Sequence, residues 1–328
     1  MKKLLLLLFV VMIFVTGCGR PTIEEVAANI EVAKNYEATV NLKIDGKFEK
    51  EVIDYTREKY ITVDNINSAV KVKAIVNLND YKSHEVYYIK SNGENLSIYK
   101  KANGFYNYRE EKKDMNSIYY ITAFINKNSS YQFIDNKNGL THYVITLNKE
   151  RVKDFLSSYY DVEVLNGLDY QIKDSAKINI YVNNKTKCID SLNVDFSNII
   201  KFTNLSSYEL DKFYLEINYD KFNESGDIKI PDEYLNNAID VNIIDAYISA
   251  EKYVKKVNEL NLSDKTTSYK NTKLIYLGEE PASVNFVIAK GKVISGDIIY
   301  DNYKFKIESG ELLHPSKVII LEEESVKE

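Results

Sequence analysis

The chain has no tryptophan, and its 328 residues include only 4 prolines, 12 glycines, 3 histidines and 2 cysteines. So little proline and glycine excludes a collagen-like or linker-rich chain, and a hydrophobic fraction of 45% excludes an intrinsically disordered one. The two cysteines, Cys18 and Cys188, allow at most one disulfide and have no metal-binding spacing. The sequence therefore predicts a globular chain held together by packing, and not by metal sites or several disulfides.

Recognisable catalytic and nucleotide-binding motifs are also absent from the sequence. His84, His142 and His314 are scattered and lack the spacing of a helical zinc site, and there is no G-x-S-x-G elbow, Walker loop or dinucleotide fingerprint. The adjacent glutamates at 110–111 and 279–280 suggest acid–base pairs, but adjacent residues on a strand point to opposite faces, so we interpret them as solvated charge. The sequence predicts a protein that is not an enzyme and that uses no cofactor or metal.

The longest apolar run lies at the N-terminus, where two lysines precede the segment 4–15. A spanning helix needs about 20 apolar residues, and this run ends sooner, at the Thr-Gly-Cys of residues 16–18. A charged start, a short apolar stretch and small residues at its end are the parts of a removable export signal. We therefore predict a signal peptide at residues 1–17; the alternative is an ordinary secretory signal that happens to contain a cysteine.

The segment Val15-Thr16-Gly17-Cys18 resembles a lipobox, the motif cut before a cysteine that carries diacylglycerol. The resemblance implies a bacterial lipoprotein whose acyl chains, such as palmitate, anchor Cys18 to the extracytoplasmic face of the cell membrane. Two or more acyl chains anchor a protein stably, whereas one binds only marginally. Removing residues 1–17 takes two of the 43 basic residues and none of the 48 acidic ones, so the formal charge changes from −5 to −7. This balance disfavours nucleic acid as a partner.

Alternation of apolar and polar residues dominates the first two thirds of the chain. Tyr36, Ala38, Val40, Leu42 and Ile44 alternate with polar residues, which is the period of a strand with one buried face. Shorter runs of this kind are separated by Asn, Asp, Gly and Ser and predict an antiparallel meander. They lie at 59–63, 70–76, 85–89, 96–100, 105–108, 131–134, 142–147, 176–182, 188–196 and 213–219. Cys188, in one of them, is predicted to be a small buried hydrophobe.

Helical spacing of apolar residues occurs at 23–34, 115–126, 149–160 and 241–260. The last of these helices is followed by strand-like runs at 274–277, 284–288, 293–299 and 303–307, which together predict a small α+β module. The alternative is that these elements complete or cap the first domain. We predict a lipidated tether at 18–24, a main domain at 25–235 and a small C-terminal α+β domain at 236–328.

Two segments of the main domain are distinctive: the hairpin strand Ile178–Val182 with its polar turn at 183–186, and the ending at 219–233. Together with the order of elements, they resemble the LolA and LolB carriers and the mycobacterial LppX and LprG proteins. The resemblance covers about residues 22–235. It implies an α+β fold in which a curved antiparallel sheet, an incomplete barrel, has its concave face closed by helices. Members that carry lipids or lipoproteins have an apolar cavity beneath those helices.

Apolar side chains on the first strand and on the helix at 115–126 are predicted to line such a cavity. The predicted lining residues are Ala38, Val40, Leu42, Ile118, Ile121, Phe124 and Ile125. Binding pockets are themselves mostly apolar, and a simply packed core, the alternative, would give the same pattern.

Two functions follow from these expectations. The first is a membrane-anchored receptor that binds a lipid or an acylated molecule in the half-barrel cavity. The second is a non-enzymatic cell-envelope lipoprotein that docks another envelope protein through an exposed apolar or tyrosine-rich patch. A permanent anchor argues against a shuttle between membranes. So does a composition rich in Tyr, Asn, Lys and Ile, which resembles that of low-GC Gram-positive bacteria.

Overall fold

The computed structural model describes residues 20–49, 51–93, 95–111, 130–159, 170–203, 207–262, 265–278 and 280–321. The predicted signal peptide, Cys18 and the predicted helix at 115–126 lie outside the described residues. Residue contacts divide the chain into two compact units, the first from Met1–Ile98 and Glu110–Ile230 and the second from Tyr99–Arg109 and Pro231–Glu328. Each unit has its own hydrophobic core. The domain boundaries proposed from the sequence stay a prediction.

Strands make up most of the described elements. In chain order those up to residue 220 are α1 (Ile23–Glu31), β1 (Asn35–Phe48), β2 (Glu51–Asp64), β3 (Ala69–Leu78), β4 (Tyr81–Ser91), β5 (Leu96–Ala102), β6 (Phe105–Glu111), β7 (Ser130–Lys137), β8 (Leu140–Leu147), α2 (Lys149–Tyr159), β9 (Tyr170–Ile172), β10 (Ala176–Asn183), β11 (Ile189–Asp195), β12 (Ile200–Phe202) and β13 (Tyr208–Asp220). The later ones are α3 (Asp232–Asn236), β14 (Ile239–Asp240), α4 (Val241–Glu259), β15 (Thr267–Lys270), β16 (Ser283–Ala289), β17 (Lys292–Tyr300), β18 (Tyr303–Glu308), β19 (Glu311–Leu312), a 3₁₀ turn (Pro315–Lys317) and β20 (Ile319–Ile320).

In the first unit nine strands form one antiparallel sheet in the order β4-β3-β2-β1-β13-β11-β10-β8-β7. Its centre is β1, which pairs with β2 along its whole length and with β13 from Glu37 to Phe48. Strands β9 and β12 form a separate pair. The sheet is curved and is not closed into a barrel, so the predicted α+β fold with an open half-barrel is confirmed.

One face of this sheet, here called the inner face, carries the core of the first unit. Its alternating residues are apolar, as Ile178, Ile180 and Val182 of β10 show, and they are buried together with the apolar sides of α1 and α2. Helix α1 begins in a capping box, in which Thr22 Oγ1 accepts from the Glu25 N–H at 3.2 Å and the Glu25 carboxylate accepts from the Thr22 N–H at 3.1 Å. These bonds fix the start of the helix against the sheet.

The second unit packs helix α4 on a sheet of β15, β16, β17, β18 and β19, with β20 paired to β18. The buried residues of α4 recur every three or four positions, among them Tyr247, Ala250 and Tyr253, and they pack in one core with strand residues such as Phe286 and Phe305. This is the predicted small α+β module. The strand predicted at 274–277 is wrong, because that segment is a loop.

Candidate functional site

The described part of the predicted cavity lining lies on the inner face in the middle of β1. Ala38, Val40 and Leu42 keep 7%, 9% and 8% of their surface exposed, whereas Tyr36 and Ile44 at either side keep 1% and 2%. The middle of β1 is therefore less closely covered than the residues that flank it. The other predicted lining residues, Ile118, Ile121, Phe124 and Ile125, lie outside the described residues.

The surroundings of these three side chains differ on their two sides. Toward β13 the directly opposed residues are all buried and hydrophobic. They are Tyr219 opposite Ala38, Ile217 opposite Val40 and Leu215 opposite Leu42. This side of the inner face is continuous with the main hydrophobic core.

Toward β2 the opposed residues include two cations. Lys59 pairs with Val40 and Arg57 pairs with Leu42, and residues directly opposed in a sheet share one face. Arg57 is buried, and its Nη2 lies 4.0 Å from Oε2 of Glu85 on β4. This side of the inner face therefore carries two basic residues, Arg57 and Lys59, and one acidic residue, Glu85, beside its apolar centre.

Sequence reasoning missed this cationic side. The predicted strand at 59–63 is the last part of β2, which begins at Glu51. Charged residues at inner positions break the apolar alternation there. A signal was present in the sequence. Arg57 and Lys59 lie an even number of residues from Tyr55, Ile61 and Val63, which are buried on the core side. Because side chains alternate along a strand, all five residues share the inner face.

Comparison with solved structures finds mycobacterial lipoproteins. The chain shows a distant similarity to mycobacterial LppX. The lipoprotein LppX of Mycobacterium tuberculosis is 12% identical, and the match covers 63% of this chain and 96% of that one with a TM-score of 0.37. LprF of Mycobacterium bovis is 13% identical over 65% of this chain and 99% of that one, with a TM-score of 0.34.

A third structure is a β-barrel-like protein of a domain family of unknown function, DUF1849, from Brucella abortus. It is 8% identical over 55% of this chain and 99% of its own, with a TM-score of 0.25. No protein-family model and no curated protein matches the chain. The resemblance to LppX predicted from the sequence is thus confirmed as a resemblance, and a resemblance of this kind says nothing about function.

The opposite face of the same sheet has an open depression of about 390 Å³ across β1, β2 and β13. Its lining is mostly polar and consists of Glu37, Ala38, Thr39, Tyr60, Ile61, Thr62, Asp190, Asn218, Tyr219 and Asp220. Lys221 Nζ lies 2.8 Å from Glu37 Oε2, and this hydrogen bond raises the pKa of the lysine. Such a surface does not suit a hydrophobic ligand. Among the described residues no group of three or more His, Cys, Asp or Glu is arranged to hold a metal ion.

The remaining reactive side chains have local structural contacts. His142 Nε2 lies 3.1 Å from Asn179 Oδ1, and His314 Nδ1 lies 2.9 Å from Ser316 Oγ at the 3₁₀ turn. Cys188 is buried, as expected, and burial raises the pKa of its thiol. None of these geometries contains a nucleophile held by a base. Within the described part of the chain no helix is long and apolar enough to cross a bilayer.

Proposed function

We propose that this chain is a lipid-anchored lipoprotein of the extracytoplasmic membrane face that binds a hydrophobic ligand, a lipid or an acylated molecule, against the inner face of its first unit. The observation that supports this function is the composition of the inner face around Val40. It is apolar toward β13, and toward β2 it carries Lys59 and Arg57 with one anion, Glu85, beside them, which leaves an excess of one positive charge. A ligand with an alkyl chain and an acidic head matches both sides.

The physical reasoning separates the two parts of such a ligand. Each buried methylene of an alkyl chain contributes roughly 0.8 kcal/mol when it leaves water, so the chain supplies most of the affinity. A carboxylate or phosphate near Arg57 would add hydrogen bonds to a charged group, each on the order of 1.5–3 kcal/mol. The ligand class we propose is therefore an anionic amphiphile.

The anchor belongs to the same proposal. The signal at 1–17 and the lipobox-like residues before Cys18 support export and acylation. An anchored receptor would meet its ligand at the membrane surface, where acylated molecules concentrate.

The test measures lipid bound to the mature chain in which Cys18→Ser removes the anchor. Native mass spectrometry, with extraction of bound lipid, would follow uptake of oleic acid and phosphatidylglycerol in comparison with phosphatidylcholine. We expect one acidic amphiphile per chain. We also expect Lys59→Gln, alone or with Arg57→Gln, to weaken binding about tenfold because a charged contact is lost.

The matched control is Lys71→Gln with Lys73→Gln. These lysines lie on β3 at positions that alternate with buried Val70 and Val72, so they remove the same charge from the opposite face. A clean mass of the unliganded chain after exposure to all three lipids would contradict the proposal. If the control pair weakens lipid binding as much as the inner-face variants do, the inner face has no specific role in binding.

The alternative function, docking of another envelope protein, has one specific observation in its favour. Leu78 and Tyr81 are large apolar residues exposed at one end of β3 and β4. They pair directly, so their side chains lie next to each other on one face of the sheet. Photo-crosslinking from position 81 on living cells would capture a specific protein if this patch is a docking surface, and only lipid or nothing if it is not.

A further inference from the structure

The polypeptide becomes part of the fold almost immediately after the predicted lipid anchor. Pro21 is buried, and its carbonyl accepts a hydrogen bond from the hydroxyl of buried Tyr143 at 2.5 Å. The next residue, Thr22, caps α1. Only two residues separate Cys18 from Pro21. At about 3.6 Å per residue, the Cα atom of Cys18 lies within roughly 11 Å of that of Pro21.

An exposed edge of the first sheet lies beside this point. Strand β7 is the last strand of the sheet, and in the described part of the chain it pairs with β8 alone. Tyr131, Phe133 and Ile134 keep 42%, 39% and 43% of their surface exposed. Arg20 lies over the ring of Phe133, with its Cζ 4.3 Å from the ring centroid. We call Tyr131, Phe133 and Ile134 the aromatic edge.

The aromatic edge is built as a stable surface. Tyr131 and Phe133 lie opposite Ile145 and Tyr143, and both of their rings pack edge-on against the ring of Tyr143. Ile134 lies where the register shifts, at a bulge between Phe133 and Asp135. Bulges bend an edge strand away from regular pairing. This edge is therefore suited to a partner that needs no strand pairing.

The nearby charges indicate what kind of surface the edge fits. Among the described residues, the ionic side chains that contact the edge or its neighbours are of both signs. They include Arg20, Lys137 and Lys187 against Glu24, Glu25 and Asp135, with Lys137 and Lys187 paired to Asp135 and Glu25. These described charges largely balance one another and give no single-sign patch to attract or repel a lipid headgroup. Tyrosine and other aromatic residues favour the boundary between hydrocarbon and water.

We propose that the aromatic edge lies in the headgroup region of the membrane leaflet that holds the acyl chains of Cys18. The inference rests on the proposed anchor and adds a second contact to it. The acyl chains hold the N-terminus at the bilayer, and the short link to Pro21 keeps the aromatic edge at the same depth. Two contacts fix the first unit in one orientation, whereas an anchor alone would let it rotate.

The absence of tryptophan from the chain gives a direct test, because Phe133→Trp creates a single emitter at the aromatic edge. The full lipidated protein would be reconstituted into phosphatidylcholine vesicles whose acyl chains carry bromine, a contact quencher. The matched control is Tyr81→Trp, an exposed aromatic position on β4 of the same unit. We expect blue-shifted emission and at least threefold stronger quenching at position 133.

Two outcomes overturn the proposal in distinguishable ways. In the first, the protein co-floats with the vesicles and mass spectrometry detects acylated Cys18, but the tryptophan at position 133 is quenched no more than the one at position 81. The anchor is then confirmed and the edge contact is wrong. In the second, Cys18 carries no acyl group. The proposed anchor is then wrong, and the edge contact that depends on it is wrong too. Ile134→Trp is a second reporter if Phe133→Trp does not reach the native circular dichroism spectrum. We expect it to be quenched like position 133, and quenching equal to position 81 would overturn the edge contact.

Discussion

At the scale of single residues, Asp64 links the turn after β2 to a distant segment of the first unit. Its carboxylate is buried and accepts hydrogen bonds from the backbone and side chain of Asn67 at 3.0 and 2.7 Å and from the Ile228 N–H at 2.9 Å. Burial raises the pKa of Asp64, but the hydrogen bonds from Asn67, Ile228 and Ile66 together outweigh it and leave the pKa lowered. The ionised form is therefore the one that stabilises the fold.

The sign of the pH dependence follows from this lowered pKa. A carboxyl whose pKa is lower in the folded state contributes stability above its unfolded pKa of about 4, and this contribution is lost as the pH falls through the folded value. We expect Asp64→Ala to lower the free energy of unfolding by about 1–3 kcal/mol at pH 7 because the N–H groups lose their acceptor. Urea denaturation at pH 7 and pH 3 checks this. Asp227→Ala, an exposed neighbour, is the control, and equal losses for both variants would contradict the assignment.

At the scale of elements, local periodicity predicted much of what the structure contains. The alternation around Val40 predicted β1, and the three- and four-residue spacing around Tyr253 predicted α4, because in both the buried face is apolar along the whole element. The segment 274–277 is equally apolar but forms a loop. Leu274, Ile275 and Leu277 pack against the core of the second unit, but the segment pairs with no described strand there. The beginning of β2 was missed because Arg57 interrupts the apolar pattern.

Tyr253 of α4 shows how that loop is held and gives a prediction for the element. Its hydroxyl accepts from the Leu274 N–H at 2.9 Å and donates to the Ile275 carbonyl at 3.5 Å. We expect Tyr253→Phe to destabilise the second unit by about 1–2 kcal/mol, because the Leu274 N–H loses its partner. Amide hydrogen exchange at Leu274 should become faster. Tyr276→Phe, at an exposed ring in the same loop, is the control and should change neither quantity.

At the scale of the whole molecule, the sequence could not show which segments combine into a compact unit. Residues 99–109 belong to the second unit, where β6 pairs with β14 through Asn107 and Ile239. No local pattern predicts a contact between segments so far apart in the chain. The candidate site has the same limit. Ala38, Val40 and Leu42 were identified by their alternation, and the cations beside them became visible only through the pairing of β1 with β2. The predicted cavity lining stays a prediction.

The presence of a separate core in each unit leads to a prediction about the whole chain. Gly296 of β17 has φ +142°, and a Cβ atom there would lie 2.0 Å from the Asn285 carbonyl oxygen on β16. Gly296→Ala forces these strands apart and should destabilise the second unit by at least about 2 kcal/mol. Because the clash lies between two strands of the second unit, we expect hydrogen exchange to rise in β16, β17 and α4 and to stay unchanged in β1, β10 and β13. Ser295→Ala, at the adjacent position, should leave both units protected. A rise of equal size in both units would show instead that the two cores unfold as one.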